Sequence, residues 1–251
     1  DMSTPIKSIN DDKTVTTEYC SKYGFKEGGY YYFFNVLEEL DIPGEYYIDR
    51  DDGILYFYPP DENENSKILL STSNENIISI TEKASNITIG GLTLQGTRND
   101  ALMVAGENCK IVNCAIKNAA ECGINVSGKN NLVENCEVTF IGKDAVMLSG
   151  GSEEGFIYGN NTVTNNSLHD YGEIQKTYIA GVNISGIGNT VSHNEIYNAP
   201  HMGIYYMGNE NVMEYNYIHD VVLQSSDAGA IYTGYSYSTY GNVVRYNCIA
   251  D

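Results

Sequence analysis

Tryptophan is absent, proline occurs 5 times in 251 residues, and lysine and arginine together number 14. Each scarcity excludes something. Against 33 Asp and Glu, the few basic residues leave a formal net charge of −19, a field that repels phosphate backbones and anionic lipid. The same field disfavours polyanionic substrates unless a cation bridges them, so neutral ligands fit best. No apolar run approaches the roughly 18–20 residues that span a bilayer. No charged n-region followed by an apolar h-region opens at Asp1, so no signal peptide is visible. The six cysteines (Cys20, Cys109, Cys114, Cys122, Cys136, Cys248) show neither a zinc spacing nor a dense disulfide pattern, and read as buried thiols. Tyrosine, by contrast, is plentiful at 22, supplying ring faces with a polar tip.

The main signal is an internal repeat. A unit V-x-x-(N/C)-x-(I/L/V) recurs at Ile111–Ile116, Val133–Val138, Val163–Leu168, Val191–Ile196, Met213–Ile218 and Val244–Ile249. Its fourth member forms the column Cys114, Cys136, Asn166, Asn194, Asn216, Asn247. A second unit, (G/A)-x-x-x-x-G, follows at Ala101–Gly106, Gly123–Gly128, Ala145–Gly150, Gly181–Gly186, Gly203–Gly208 and Gly229–Gly234. Alternation inside each unit means strands, and strands this short at a period of about 22 residues describe a coil that stacks on itself. Interior Asn residues can then hydrogen-bond along the stack. A leucine-rich solenoid needs an L-x-x-L-x-L frame that is missing here. The expected fold is an all-β, right-handed parallel β-helix of about seven rungs over residues 86–251. Residues 1–85 are its N-terminal cap and lead-in, with a hairpin turning at Asp51-Asp52-Gly53 and a polar loop at 61–67. The chain stops at Asp251 inside the seventh rung, so either it is truncated or a further polypeptide or subunit completes the coil.

The repeat breaks twice. Between the two units the spacing is usually seven residues, but it lengthens from Leu168 to Gly181 and from Ile218 to Gly229. Insertions at one corner of a solenoid build walls around a cleft, with the short stretch Tyr197–Met202 as its floor. Asp170, Asn198, Asp220 and Asp251 form one column there; Glu121, Lys143, Ile179, His201 and Asp227 form another, on the outward phase. Asp220 and Asp227 thus end one loop, both facing the cleft, with His201 one rung below Asp227, about 4.8 Å along the stack. Paired carboxylates in a cleft are what glycosidic cleavage needs: one protonates the leaving oxygen while the other attacks the anomeric carbon or activates water. The competing reading is that Asp at a solenoid corner only caps a turn. His201 and His219 are either ligand contacts or turn-stabilising residues, and His193 is structural.

The stretch NVLEELDIPGEYYIDRDDGILYFYPP (Asn35 to Pro60), the rungs that follow it and YNYIHDVVLQSSDAGAIYTG (Tyr215 to Gly234) resemble the right-handed β-helix glycoside hydrolases. Within that group the chain looks most like the lacto-N-biosidases of glycoside hydrolase family 136. The resemblance implies a retaining enzyme that releases lacto-N-biose from milk oligosaccharides, with Asp220 as acid/base and Asp227 as nucleophile. Expected sugar contacts are His169, Asp170, Asn198, His201, Tyr205, His219 and Tyr232. The chemistry requires no cofactor, and a structural Ca2+ is compatible with it. The expected setting is a secreted or cell-surface bacterial protein with an oligosaccharide substrate, no nucleic acid and no membrane span. Two alternatives stand beside it: a β-helix polysaccharide lyase, which needs a cationic base where only Lys143 and Lys176 lie near the cleft, and a non-catalytic carbohydrate-binding solenoid.

Overall fold

The computed structural model describes residues 3–21, 24–29, 31–60, 67–234 and 236–251. Contacts divide the chain into one unit reaching to Leu69 and another running from Leu70 to Asp251. In the first, strands Ile6–Ile9 and Val15–Thr17 pair antiparallel, as do Tyr46–Asp49 and Ile54–Phe57. The second hairpin turns where Asp-Asp-Gly places it. Asp49 Oδ1 accepts the N–H groups of Asp51 (3.0 Å) and Asp52 (3.1 Å), and Gly53 takes φ +69°. Of the polar loop read at 61–67, only Lys67 lies within the described residues.

The second unit is a right-handed parallel β-helix. Each turn of the chain visits three parallel sheets of seven strands. Sheet A starts at Ile78–Ile80, sheet B at Thr88–Gly90 and sheet C at Thr93–Thr97; the last strands are Ile231–Tyr232, Val243–Arg245 and Cys248–Ala250. The coil therefore begins at Ile78 rather than near Asn86, since Ile78 pairs with Leu102 in the parallel ladder of sheet A.

The V-x-x-N-x-I unit is also not one strand. It is a sheet B strand, a tight corner and a sheet C strand, as in Thr190–Ser192 followed by Glu195–Tyr197. The corner residue before each ladder position sits in the left-handed region: Asn113, Asn135, Asn165, His193, Tyr215 and Tyr246 have φ between 53° and 58°. Asn and His tolerate that backbone better than most side chains, and each ring that follows stacks on the next, His193 on Tyr215 at 5.1 Å and Tyr215 on Tyr246 at 5.0 Å.

The ladder expected from the sequence is present. Asn194 Nδ2 donates to Val163 O (3.0 Å) and Asn216 Oδ1 (3.0 Å), while its Oδ1 accepts from the N–H (3.0 Å) and Nδ2 (2.9 Å) of Asn166. A second ladder runs at the other end of sheet B through Asn131, Asn161, Asn189, Asn211 and Asn242. Interior side chains stack in register, so Leu168, Ile196 and Ile218 are wholly buried in one column. On the last coil Ile249, which continues this column, and Val244, which continues the sheet B column of Val191 and Met213, are 58% and 45% exposed. The glycines that open sheet A allow close packing: a Cβ on Gly203 would fall 2.6 Å from Ile218 Cγ2. Among the described residues no helix is long and apolar enough to cross a membrane.

Candidate functional site

Where sheet C hands the chain back to sheet A, the corner residues Asp170, Asn198 and Asp220 take φ 50°, 51° and 49°. Asp and Asn are among the few residues that this backbone accepts readily, which is why the column is built from them. The two lengthened connections fold down onto the preceding rung. Glu173 N–H donates to Ile141 O (2.9 Å) and Ile174 N–H to Gly142 O (3.0 Å); Val222 N–H donates to His201 O (2.8 Å) and Gln224 N–H to Pro200 O (3.1 Å). The second thus lies on the short corner at 198–201, where Ala199, Pro200, His201 and Met202 are buried rather than forming the open floor that the spacing predicted.

Beside that corner, His169, Tyr197 and His219 occupy one outward column of sheet C. Their rings stack at 4.6 Å and 4.9 Å, with interplanar angles of 13° and 4°. The rung spacing of a β-helix matches ring stacking, so one side chain per turn suffices. Nδ1 of His169 donates to Asp170 Oδ2 at 2.6 Å, and its Nε2 lies 3.6 Å from Glu137. Nδ1 of His219 donates to Asp220 Oδ2 at 2.7 Å, and its Nε2 lies 3.4 Å from Glu195. Both nitrogens of each ring thus face the protein's own carboxylates: the histidines orient Asp170 and Asp220. Asn198 Nδ2 also donates to Asp170 Oδ1, so Asp170 is held from two sides and its side chain is 22% exposed, against 56% for Asp220.

Asp227 does not share a column with His201. Register pairs Ile204 with Ile231 and Tyr205 with Tyr232, which sets Gly203 beside Ala230 and carries the His201 column to Ala228. The (G/A)-x-x-x-x-G count slipped by one residue because Gly229 is not the packing glycine; a Cβ there would meet nothing closer than 3.4 Å. Asp227 is nevertheless near enough that its charge favours a protonated His201. His201 itself is only 6% exposed; burial pushes its pKa down, with the Ile179 carbonyl and Asp227 pulling it back up. The Tyr178 ring lies 6.2 Å from it. Ile179, expected to point outward, is 1% exposed and belongs to the core, while Glu121 and Lys143 in that column form an ion pair. On sheet A, the in-register rings of Tyr205 and Tyr232 stack at 6.3 Å.

Three supporting residues were missed. Tyr171 is wholly buried under the corner, its hydroxyl donating to Met202 O at 2.7 Å. Asp144 is buried one corner earlier, where its Oδ1 accepts from Ala180 N–H (2.7 Å) and Asn183 Nδ2 (3.3 Å). Asp100 does the same job lower in the coil, accepting from Cys122 N–H (3.0 Å) and Asn125 Nδ2 (3.1 Å). The recurring Asp before a sheet A strand, with Asn on the next rung, was the available signal. Burial pushes the Asp144 carboxyl up to about 6. A carboxyl whose folded pKa is raised stabilises the fold fully below its unfolded value near 4, and that contribution is lost as pH rises through 6. Asp144→Asn should therefore add about 2 kcal/mol of stability at pH 8, the linkage gain less about 1 kcal/mol for burying an amide N–H2, and cost about 1 kcal/mol at pH 4, where the linkage gain vanishes. Urea unfolding at the two pH values measures this.

A cavity of about 410 Å3 lined by Tyr206, Thr233, Tyr240 and Asn242 opens at the sheet A to sheet B corner, away from the Asp220 connection. Among the described residues, no three His, Cys, Asp or Glu side chains are grouped to hold a metal ion.

The family model for the right-handed β-helix region matches residues 76–251. Among solved structures, a protein described as a glycoside hydrolase is similar at a TM-score of 0.66 and 17% identity, covering 85% of this chain and 49% of that one. The A-module of the Azotobacter vinelandii mannuronan C-5 epimerase AlgE4 is similar at 0.54 and 16%, covering 66% and 54%. Pectate lyase Pel9A is similar at 0.50 and 14%, covering 69% and 44%. The chain spans about half the length of these structures, and at such identities the likeness shows the fold alone. No curated protein matches the sequence.

Proposed function

The chain belongs to the right-handed β-helix family, and from that premise we propose that it is a glycoside hydrolase acting on a neutral oligosaccharide through Asp220 and Asp227. One observation carries this reading. Asp220 is the exposed carboxylate of the corner, yet its Oδ2 is held at 2.7 Å by His219, and the same connection leads seven residues on to the exposed Asp227. A carboxyl group that is both reachable and oriented suits proton transfer to a leaving oxygen. An exposed neighbour bearing a second carboxylate suits attack on the sugar.

The resemblance to the lacto-N-biosidases supplies the finer roles: Asp220 as acid/base, Asp227 as nucleophile, retention at the anomeric carbon, and lacto-N-biose as the released unit. Sugar contacts would come from the corner itself and from Tyr205 and Tyr232. A lyase reading is weaker, because it needs a free cationic base and Lys143 is paired with Glu121. The charge of −19 also opposes a uronate polymer.

A screen of aryl glycosides and milk oligosaccharides tests the proposal. Release of lacto-N-biose from lacto-N-tetraose supports it. Binding of the sugar with no hydrolysis, unchanged by Asp220→Asn and Asp227→Asn, would establish a binding solenoid instead.

A further inference from the structure

Three of the four histidines of the chain lie in the corner between sheets C and A, each with an aspartate nearby. In two of them the pairing is made: His169 with Asp170 at 2.6 Å and His219 with Asp220 at 2.7 Å, both through Nδ1. The third is left unfinished. His201 is 6% exposed, and its Nδ1 is buried without a hydrogen-bond partner among the described residues. A buried polar atom without a partner is unfavourable, and such atoms in folded proteins call for an explanation.

The surroundings of His201 restrict what can complete it. Its backbone carbonyl receives Val222 N–H at 2.8 Å, which ties the connection carrying Asp227 to this rung. The ring's neighbours are the Ile179 backbone, the Tyr178 ring at 6.2 Å and the Asp227 charge. Asp220 is already engaged by His219. Asp227 is the carboxylate that remains, and it is exposed, three residues past the tied segment's Gln224, itself bonded to Pro200 O.

We propose that His201 is the positioning residue of Asp227: when a sugar occupies the corner, the Asp227 carboxylate turns onto the His201 ring and accepts a hydrogen bond from Nδ1, as Asp220 does from His219. A ring that donates at Nδ1 to a carboxylate while the Ile179 backbone also favours its protonated form holds both protons, so this closure takes up one proton from solvent. No covalent bond changes. The role rests on the glycosidase reading of Asp227, but the pairing itself can be read without turnover.

The experiment has two arms. In the first, NMR follows the His201 ring through a pH titration of the whole chain saturated with lacto-N-biose. Asp227→Asn should lower its pKa by about one unit, the effect of removing an opposite charge a few ångströms away, whereas Asp220→Asn should leave it in place. In the second, hydrolysis of lacto-N-tetraose is measured. His201→Phe should lower kcat about 100-fold with KM changed less than about threefold, because misplacement of a reacting group is expensive. His201→Asn, whose Nδ2 stands where Nδ1 does and donates without titrating, should recover most of kcat and carry the alkaline limb of the pH profile upward. A His201 titration unmoved by Asp227→Asn overturns the pairing even if the enzyme is active. Equal loss in the Phe and Asn variants with an unshifted pH profile overturns the positioning role. Coupled titration in a protein that cleaves no glycoside upholds the pair and overturns the glycosidase reading instead.

Discussion

Asp227→Ala is expected to abolish turnover for every leaving group, because the proposed mechanism makes its carboxylate the group that attacks the anomeric carbon. Asp220→Ala should behave differently. Loss of a general acid costs about 100- to 10,000-fold on a natural substrate, whose alkoxide leaves poorly without a proton. An activated aryl leaving group departs unprotonated, so glycosyl transfer from such substrates should survive in Asp220→Ala. Azide separates the roles further. Added to Asp220→Ala, it should trap the glycosyl-enzyme and give a glycosyl azide of retained configuration; added to Asp227→Ala, it should attack directly and give the inverted azide. The geometry supports this division, since Asp220 is oriented by His219 at 2.7 Å whereas Asp227 lies on the exposed connection. Near-normal activity of both alanine variants on the natural substrate would make the pair structural.

The largest expected effect on stability is at the ladder. Asn194 is 1% exposed and takes part in four hydrogen bonds, two donated by its Nδ2 and two accepted by its Oδ1. Asn194→Ala removes all four and strands the buried N–H of Asn166 and the carbonyl of Val163. At about 1 kcal/mol per bond, the loss is about 4 kcal/mol, a large part of the stability of a typical domain. Asn194→Asp should be nearly as harmful, since a carboxylate has nothing to donate to Val163 O. Urea midpoints at constant slope measure both. A loss below about 1 kcal/mol for Asn194→Ala would show that the ladder is ornamental to the fold.

Much of the coil was legible in the sequence because a solenoid writes its contacts at a fixed period. Asn166, Asn194, Asn216 and Asn247 announced their own stack, and the lengthened spacings after His169 and His219 announced the two insertions at that corner. What stayed hidden was local geometry. The corner inside V-x-x-N-x-I leaves no break in alternation, because one residue in the left-handed region, such as His193 or Tyr215, turns the chain without using a glycine. The slip at Gly229 arose because a glycine happens to precede the Ala230 that does the packing. Tyr171 was invisible because its burial depends on neighbouring rungs, and Asp144 left a signal only in its recurrence with Asp100 before sheet A strands. The site was legible as residues but not as pairings: Asp220 was found by its spacing, whereas its attachment to His219 and the stack through Tyr197 required the register of sheet C. The catalytic assignment itself still rests on the family resemblance together with the chemistry of two carboxylates.

The most direct test of that central claim is the anomeric form of the first product, followed by proton NMR as the whole chain acts on lacto-N-tetraose. A two-step displacement at Asp227 predicts that lacto-N-biose appears first as the β-anomer and then mutarotates, with no unsaturated sugar formed. First appearance of the α-anomer, or an unsaturated product from a uronate polymer with none from lacto-N-tetraose, would contradict it.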